Sequence, residues 1–357
     1  MRITNITTQC QQVTLPPRGR ISLNESGTAA PPTLIDLIMA TIEADGQTGL
    51  GFTAIAGPGA KAVRSLIDVE LAPLLIGEDP RDTDRLFAKA STSLRSVGFA
   101  GLAARAYCAL DLACWDLKAK AAGAPLYQLL GHHKASASFF ISDLAVTGRE
   151  ASEAIRLAKP LLKQGATGLR VAVGFGDVQA DADRVRDIQE GLGDQGWVSV
   201  AASERYDLGS AQALSHFFED IGVDLFEDPI PTTDEAGYAR MAALKALPLA
   251  VGSSFDSVED FYRVIRNGAV RTVRPDVCRL GGLTPLLKVA TVAEAFHVGV
   301  SPVRMPEVGV HLACGLSSIA SVDYVSWFSE VLQGPRMEGG KILPPSEPGL
   351  GIQIKNA

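Results

Sequence analysis

Between residues 168 and 282 short apolar runs return at a nearly even spacing. Leu169–Val173, Val198–Ala201, Asp224–Glu227, Leu249–Val251 and Thr272–Val273 are each mostly apolar, and Gly, Ser, Asp or Pro follows closely. A strand covered on both faces has no polar side to show, so short unbroken apolar runs predict buried parallel strands. Between them Val178–Leu192, Ser210–Asp220, Glu235–Leu247 and Ser257–Asn267 carry helical spacing. The strand-helix unit repeats every roughly 22 to 30 residues, the pattern of a β/α barrel. In such a barrel the residues at and just past each strand's carboxyl end build the active site. Arg170, Ala172, Ala201, Ser203, Glu204, Glu227, Asp228, Ser253, Arg274 and Asp276 are therefore the informative positions.

The chain before this region reads as a separate α+β module over residues 1–130. Ile3–Val13 and Leu34–Ala44 predict strands, and a turn over Asp45–Gly49 leads to a short strand at Leu50–Phe52, which makes a three-stranded meander. Pro16–Pro32, rich in Pro, Gly, Ser and Asn, is too long for a hairpin turn and reads as a lid or a loop tip. Ala56–Ala60 reads equally as a second lid or as a plain connector to a helix at Lys61–Ala72. Helices are predicted at Asp82–Ser93 and Gly98–Ala122, the latter Ala-rich and apolar on more than one side, with Gly123 and Pro125 as its stop. Ser138–Ser142 predicts the first barrel strand, Arg149–Gln164 its helix, and Val322–Val325 the eighth strand.

Composition narrows the classes. With 357 residues, 46% of them hydrophobic and 20% charged, the chain can bury a large core and is not a disordered one. The net charge of −7 and the absence of a long basic run argue against a nucleic-acid partner or an anionic membrane surface. The amino terminus has no apolar signal core and no stretch reaches the length of a membrane span, so a cytoplasmic location is expected. The five cysteines show no metal-ligand spacing and read as reduced core thiols.

Two separated motifs then carry a resemblance. Ala109–Lys120, with Pro125–Gly131 behind it, resembles the A-x-D-x-A-L-W-D-x-x-x-K and P-x-x-x-L-L-G signature of the mandelate racemase and muconate lactonizing enzyme branch of the enolase superfamily. Arg274–Thr284 is similar to the Q-P-D-x-x-R-x-G-G-I-T of the same branch. The resemblance implies an α/β chain with a (β/α)7β TIM-like barrel over 131–325. An α+β capping domain would cover 1–130, with a tail over 326–357 returning to it. It also implies lyase or isomerase chemistry: abstraction of a proton next to a carboxylate, with the enediolate held on magnesium. A second negative charge beside an existing carboxylate needs a preorganised cation in a water-poor site.

Against that pattern several positions depart. The K-x-K of the second barrel strand falls on Arg170–Ala172, which leaves Ala172 where a base would stand. Ala201 and Ser253 fall where two of the three metal carboxylates would be, Glu227 keeps the third, and Val303 falls on the seventh-strand histidine. Asp276 remains without that histidine, and Asp323 stands on the eighth strand near an acidic group of relatives. Magnesium seldom holds through one carboxylate, so the family's metal site is not expected to persist at these positions.

The remaining charges suggest another content for the cavity. Arg170 and Arg274 are expected to point towards Glu204, Glu227, Asp228 and Asp276, as anion binders or as internal salt bridges. Arg170, Glu204, Asp228 and Asp276 are the candidate catalytic residues, Glu227 the candidate metal ligand, and Arg274, Ser203, Ser253, Arg304 and Asp323 the candidate ligand-binding set. None of the five histidines makes a ligand pair at helical spacing. Two readings stand: a divergent member that acts on or binds a small carboxylate without the metal cage, and a metal-dependent racemase, acid-sugar dehydratase or cycloisomerase with ligands relocated to Glu204, Asp228 and Asp256. A small carboxylate ligand and a homo-oligomer are expected in either case.

Overall fold

The structure, a computed structural model, describes residues 1–15, 34–143 and 148–355. The lid expected at 16–32 lies outside them. Strands β1 (Ile3–Thr14), β2 (Leu34–Ala44) and β3 (Gln47–Ala56) form the antiparallel meander in that order. β3 is longer than the sequence suggests, because the turn is only Asp45 and Gly46, both at positive φ, and Ala44 already pairs with Gln47. Its glycines misled the reading for a packing reason. The helix Leu102–Ala121 lies so close that a Cβ on Gly51 would stand 2.0 Å from the Ala109 carbonyl oxygen.

Nearly every residue of that helix is buried, since one side covers the meander and another meets the barrel. The first motif supplies its polar clamps. Asp111 accepts from Thr284 N–H (3.0 Å) and Thr284 Oγ1 (2.6 Å), and Trp115 Nε1 donates to the same hydroxyl at 2.9 Å. Asp116 accepts from Leu50 N–H at 2.9 Å and Leu350 N–H at 2.7 Å, which ties β3 and the chain's last segment to one carboxylate. A further helix, expected at 61–72, runs from Ala60 to Leu75 with a π-helical turn over Leu66–Leu71. Four cysteines are buried and Cys10 is exposed on β1, unlike the core position expected for it.

Eight strands make the barrel sheet: β4 (Ser138–Ile141), β5 (Gly168–Ala172), β6 (Trp197–Ala201), β7 (Leu225–Glu227), β8 (Leu249–Val251), β9 (Thr272–Val273), β10 (Gly299–Val300) and β11 (Ser321–Tyr324). Their order is β10-β9-β8-β7-β6-β5-β4-β11, and the neighbouring pairs are parallel. Val300 N–H donates to Ser318 C=O at 3.2 Å, in the segment that leads into β11. Val171, Val200, Phe226, Val251 and Val273 are fully buried, as strands covered on both faces require. The register aligns Ala172 with Ala201 and Ala201 with Glu227, so the strand ends open on one rim.

The tail forms a hairpin, β12 (Arg336–Glu338) with β13 (Lys341–Leu343), and returns to the segment just past the long helix through Leu126 N–H to Gly349 C=O at 2.8 Å. Among the described residues no helix is long and apolar enough to cross a membrane.

Candidate active site

Glu227 closes β7 with its side chain inside the barrel, 1% exposed. Arg170, from the middle of β5, grips it as a fork: Nε donates to Oε2 at 2.7 Å and Nη2 to Oε1 at 2.6 Å. Arg274, just past β9, places Nε 3.1 Å from the same Oε2 and donates through Nη2 to Asp323 Oδ2 on β11 at 2.5 Å. Its Nη1 donates to Ser301 Oγ, and its guanidinium stands over the Phe140 ring. Arg170, Glu227, Arg274 and Asp323 come from the second, fourth, sixth and eighth barrel strands. Side chains from alternate strands fill a barrel in layers, so these four are one layer made of charge rather than hydrocarbon.

Burial alone would raise the Glu227 carboxyl. The charges of Arg170, Arg274 and Arg304 outweigh it and hold the group down at about 2. Its chain neighbour Asp228 behaves in the opposite way. Asp228 accepts from Gly252 N–H (3.0 Å) and Ser253 Oγ (2.5 Å), but burial and the adjacent Glu227 charge push it up to about 7. Glu204, half-buried at the rim, accepts from Thr232 N–H (3.1 Å), from Thr232 Oγ1 (3.2 Å) and from Ser254 Oγ. Asp276 caps the turn at Cys278 N–H (2.8 Å) and lies 3.5 Å from Arg304, which fills the partner role that a histidine at 303 would have taken.

Backbone strain gathers at this rim. Of the nine non-glycine residues at positive φ among the described residues, Ser203, Glu204, Asp228, Arg304 and Met305 lie just past barrel strands. Such conformations cost free energy and tend to cluster where side chains must be aimed.

The structure therefore corrects part of the sequence expectation. Arg170 and Arg274 pair with Glu227 and Asp323, not with Glu204, Asp228 or Asp276. Asp256, a candidate relocated ligand, is paired with Arg279 at 3.2 Å. Ser203 is exposed, and Ala172 and Val303 are buried and apolar. Thr232, Ser254 and Ser301 belong to the site and were missed. Ser254 and Ser301 follow strand ends and were open to the rule that found Ser253, whereas Thr232 sits too far along its loop for that rule.

The positions where the resemblance puts three metal carboxylates hold Ala201, Glu227 and Ser253, and both Glu227 oxygens already face guanidinium N–H groups. Such a donor set does not match the octahedral oxygen shell that magnesium demands. Among the described residues no group of three or more His, Cys, Asp and Glu side chains is placed to hold a metal ion.

Comparison with known proteins gives the family. Residues 26–131 match the mandelate racemase / muconate lactonizing enzyme N-terminal domain, and residues 153–357 match the enolase C-terminal domain-like family. The chain is 28% identical to the L-talarate/galactarate dehydratase of Salmonella typhimurium, over 92% of this chain and 83% of that protein. It is 29% identical to the D-galactarolactone cycloisomerase of Agrobacterium fabrum, over 87% of this chain and 86% of the other. In structure it is similar to L-talarate dehydratase from Polaromonas sp. JS666, solved with Mg and L-glucarate: TM-score 0.91, 31% identity, 99% of this chain and 95% of that one. With both family models matched and the barrel in place, the chain belongs to the mandelate racemase and muconate lactonizing enzyme branch of the enolase superfamily.

Proposed function

We propose that this chain is an acid-sugar lyase or isomerase. It binds a small polyhydroxylated carboxylate at the carboxyl end of the barrel and removes a proton next to that carboxylate. The relatives support the class, since a dehydratase and a cycloisomerase of acid sugars both align over most of the chain. The observation that carries the reading is at Arg170: it is 15% exposed at the side chain, and its Nη1 has no hydrogen-bond partner among the described residues. A guanidinium anchored through two donors with a third left over is a preorganised carboxylate receptor.

In this scheme Arg170 Nη1 takes one substrate oxygen and Arg304, 39% exposed and only loosely held by Asp276, approaches from the seventh strand. Asp228, whose carboxyl lies near neutrality, holds or releases a proton through the Ser253 hydroxyl, and Glu204 is a second carboxyl group at the rim. The charged layer beneath stabilises the negative charge that develops beside the substrate carboxylate. L-talarate dehydratase from Polaromonas sp. JS666 is complexed with Mg and L-glucarate.

A panel of aldonates, aldarates and their lactones in deuterated buffer tests the proposal. Exchange or loss of the hydrogen beside the carboxylate, read by proton NMR, is the expected outcome for at least one compound. Absence of both exchange and binding across the panel would overturn it. Ala172, which cannot accept a proton where the family has a base, favours a second reading, binding without turnover. That reading predicts thermal stabilisation by an acid sugar with no exchange.

A further inference from the structure

We infer that the cation of this site is part of the chain: the guanidiniums of Arg170 and Arg274 stand in for a divalent metal, and the anionic ligand is held without one. The two Glu227 oxygens are committed, Oε1 to Arg170 Nη2 and Oε2 to Arg170 Nε with Arg274 Nε beside it. A metal ion would have to displace a bidentate ion pair at 2.6 and 2.7 Å inside a layer in which Glu227, Arg274 and Asp323 are almost fully buried.

Charge balance argues the same way. Arg170, Arg274 and Arg304 are met by Glu227, Asp323 and Asp276, three against three, so these ion pairs already balance one another. A divalent ion would add two positive charges beside three guanidiniums, and the carboxyl groups outside these pairs are already engaged by other donors. Ser253 donates to Asp228, Glu204 is engaged by Thr232 and Ser254, and Asp256 is paired with Arg279. A hard cation would have to displace those donors, and among the described residues no three such groups are placed together to hold it.

The arrangement has a chemical consequence. A guanidinium is always charged and presents directed donors, so it orients a carboxylate by hydrogen bonds where a metal would do so by coordination. The ligand half of this inference rests on the acid-sugar reading, and the metal half does not.

Mn2+ titration of the purified full-length chain, followed by electron paramagnetic resonance, tests the metal half. The expected result is no saturable site up to millimolar Mn2+. One Mn2+ per chain, displaced by Mg2+, would overturn it. The variant Ala201→Asp/Ser253→Glu with Arg170→Lys restores the missing carboxylates and is expected to gain at least tenfold in Mn2+ affinity. Ala201→Asp alone serves if the triple variant does not fold, with a smaller gain expected, and no gain in a folded variant would count against the inference. For the ligand half, acid-sugar affinity is measured by calorimetry in EDTA and again in Mg2+. The two values are expected to agree within twofold, and a tenfold gain on adding Mg2+ would refute the guanidinium's role. Should no acid sugar bind in either buffer, the proposed function fails while the Mn2+ titration still decides the metal question.

Discussion

Arg170 and Glu227 meet edge to edge, two parallel N–H to oxygen bonds at 2.7 and 2.6 Å, with Glu227 the more deeply buried partner. Glu227 also faces Arg274, so the two ends of the pair are not equivalent. Glu227→Gln removes the one carboxylate between two guanidiniums and is expected to cost about 3–5 kcal/mol, the usual result of leaving buried charge uncompensated. Arg170→Gln leaves Glu227 with Arg274 and is expected to cost less, about 1–3 kcal/mol. Urea unfolding at pH 7 gives the order, and a larger loss for Arg170→Gln would mean that Arg274 contributes nothing to holding Glu227. The Glu227 carboxyl sits below its ordinary value, so its stabilisation is present above about pH 4.5 and is lost as pH falls towards 2.

Asp228 and Ser253 make a second testable pair. The Ser253 hydroxyl favours the charged carboxylate, while burial and Glu227 oppose it more strongly. Ser253→Ala removes the favourable part, so Asp228 is expected to stay protonated to a higher pH than its present value of about 7. The carboxylic acid C=O band in infrared difference spectra against Asp228→Asn reports this directly. A band that disappears at the same pH in wild type and Ser253→Ala would show that the hydroxyl does not tune the group.

The barrel was readable because its strands are covered on both faces and so leave unbroken apolar runs such as Leu249–Val251, reproduced residue for residue. The meander was less so. Gly49 and Gly51 look like turn residues in isolation, and only the nearby helix backbone explains them as strand. In the candidate site the strand-end rule located Arg170, Glu227 and Arg274 and included Glu227 among the partners of the two arginines, but did not find Asp323 as the other. Pairing across a barrel depends on which strands share a layer, and Asp323, a remote residue in sequence, takes the contact expected for Asp276. The two recognition motifs carried structure as well: Asp111 of one and Thr284 of the other are hydrogen-bonded partners.

That contact also constrains Gly282. A Cβ there would lie 2.3 Å from Asp111 Oδ2, and the backbone stands at φ 122°, outside the range that side chains accept. Gly282→Ala is therefore expected to destabilise by about 3 kcal/mol, from backbone strain and overpacking together. Asp111→Ala removes the carboxylate but keeps the Cβ, which would still stand 2.5 Å from the new atom, and it leaves the Thr284 N–H without its acceptor, at about 1–3 kcal/mol. The double variant should cost less than the sum of the two, because the part of the clash that falls on the Asp111 carboxylate is gone. Strict additivity in a thermal unfolding cycle would place the Gly282 strain in the backbone and the Asp111 Cβ contact, with no share from the carboxylate.

Glu307 tests how burial governs the pH profile. It is 5% exposed, its Oε2 has no hydrogen-bond partner among the described residues, and burial pushes it up to about 7. Between about pH 4.5 and 7 the native carboxyl keeps its proton and the unfolded one does not, so this group makes stability fall as pH rises through that window. Asp111 and Asp228, also raised to about 7, act in the same direction. His311 acts in the opposite one: burial lowers it to about 4, so the native ring stays neutral while the unfolded ring binds a proton below about pH 6.5. Comparing Glu307→Gln with wild type cancels these other groups. The variant's stability relative to wild type is expected to rise by about 1.4 kcal/mol per pH unit from pH 5 to 7 and then level off. A difference that stays flat over that range in urea unfolding would mean that the native Glu307 is already ionised.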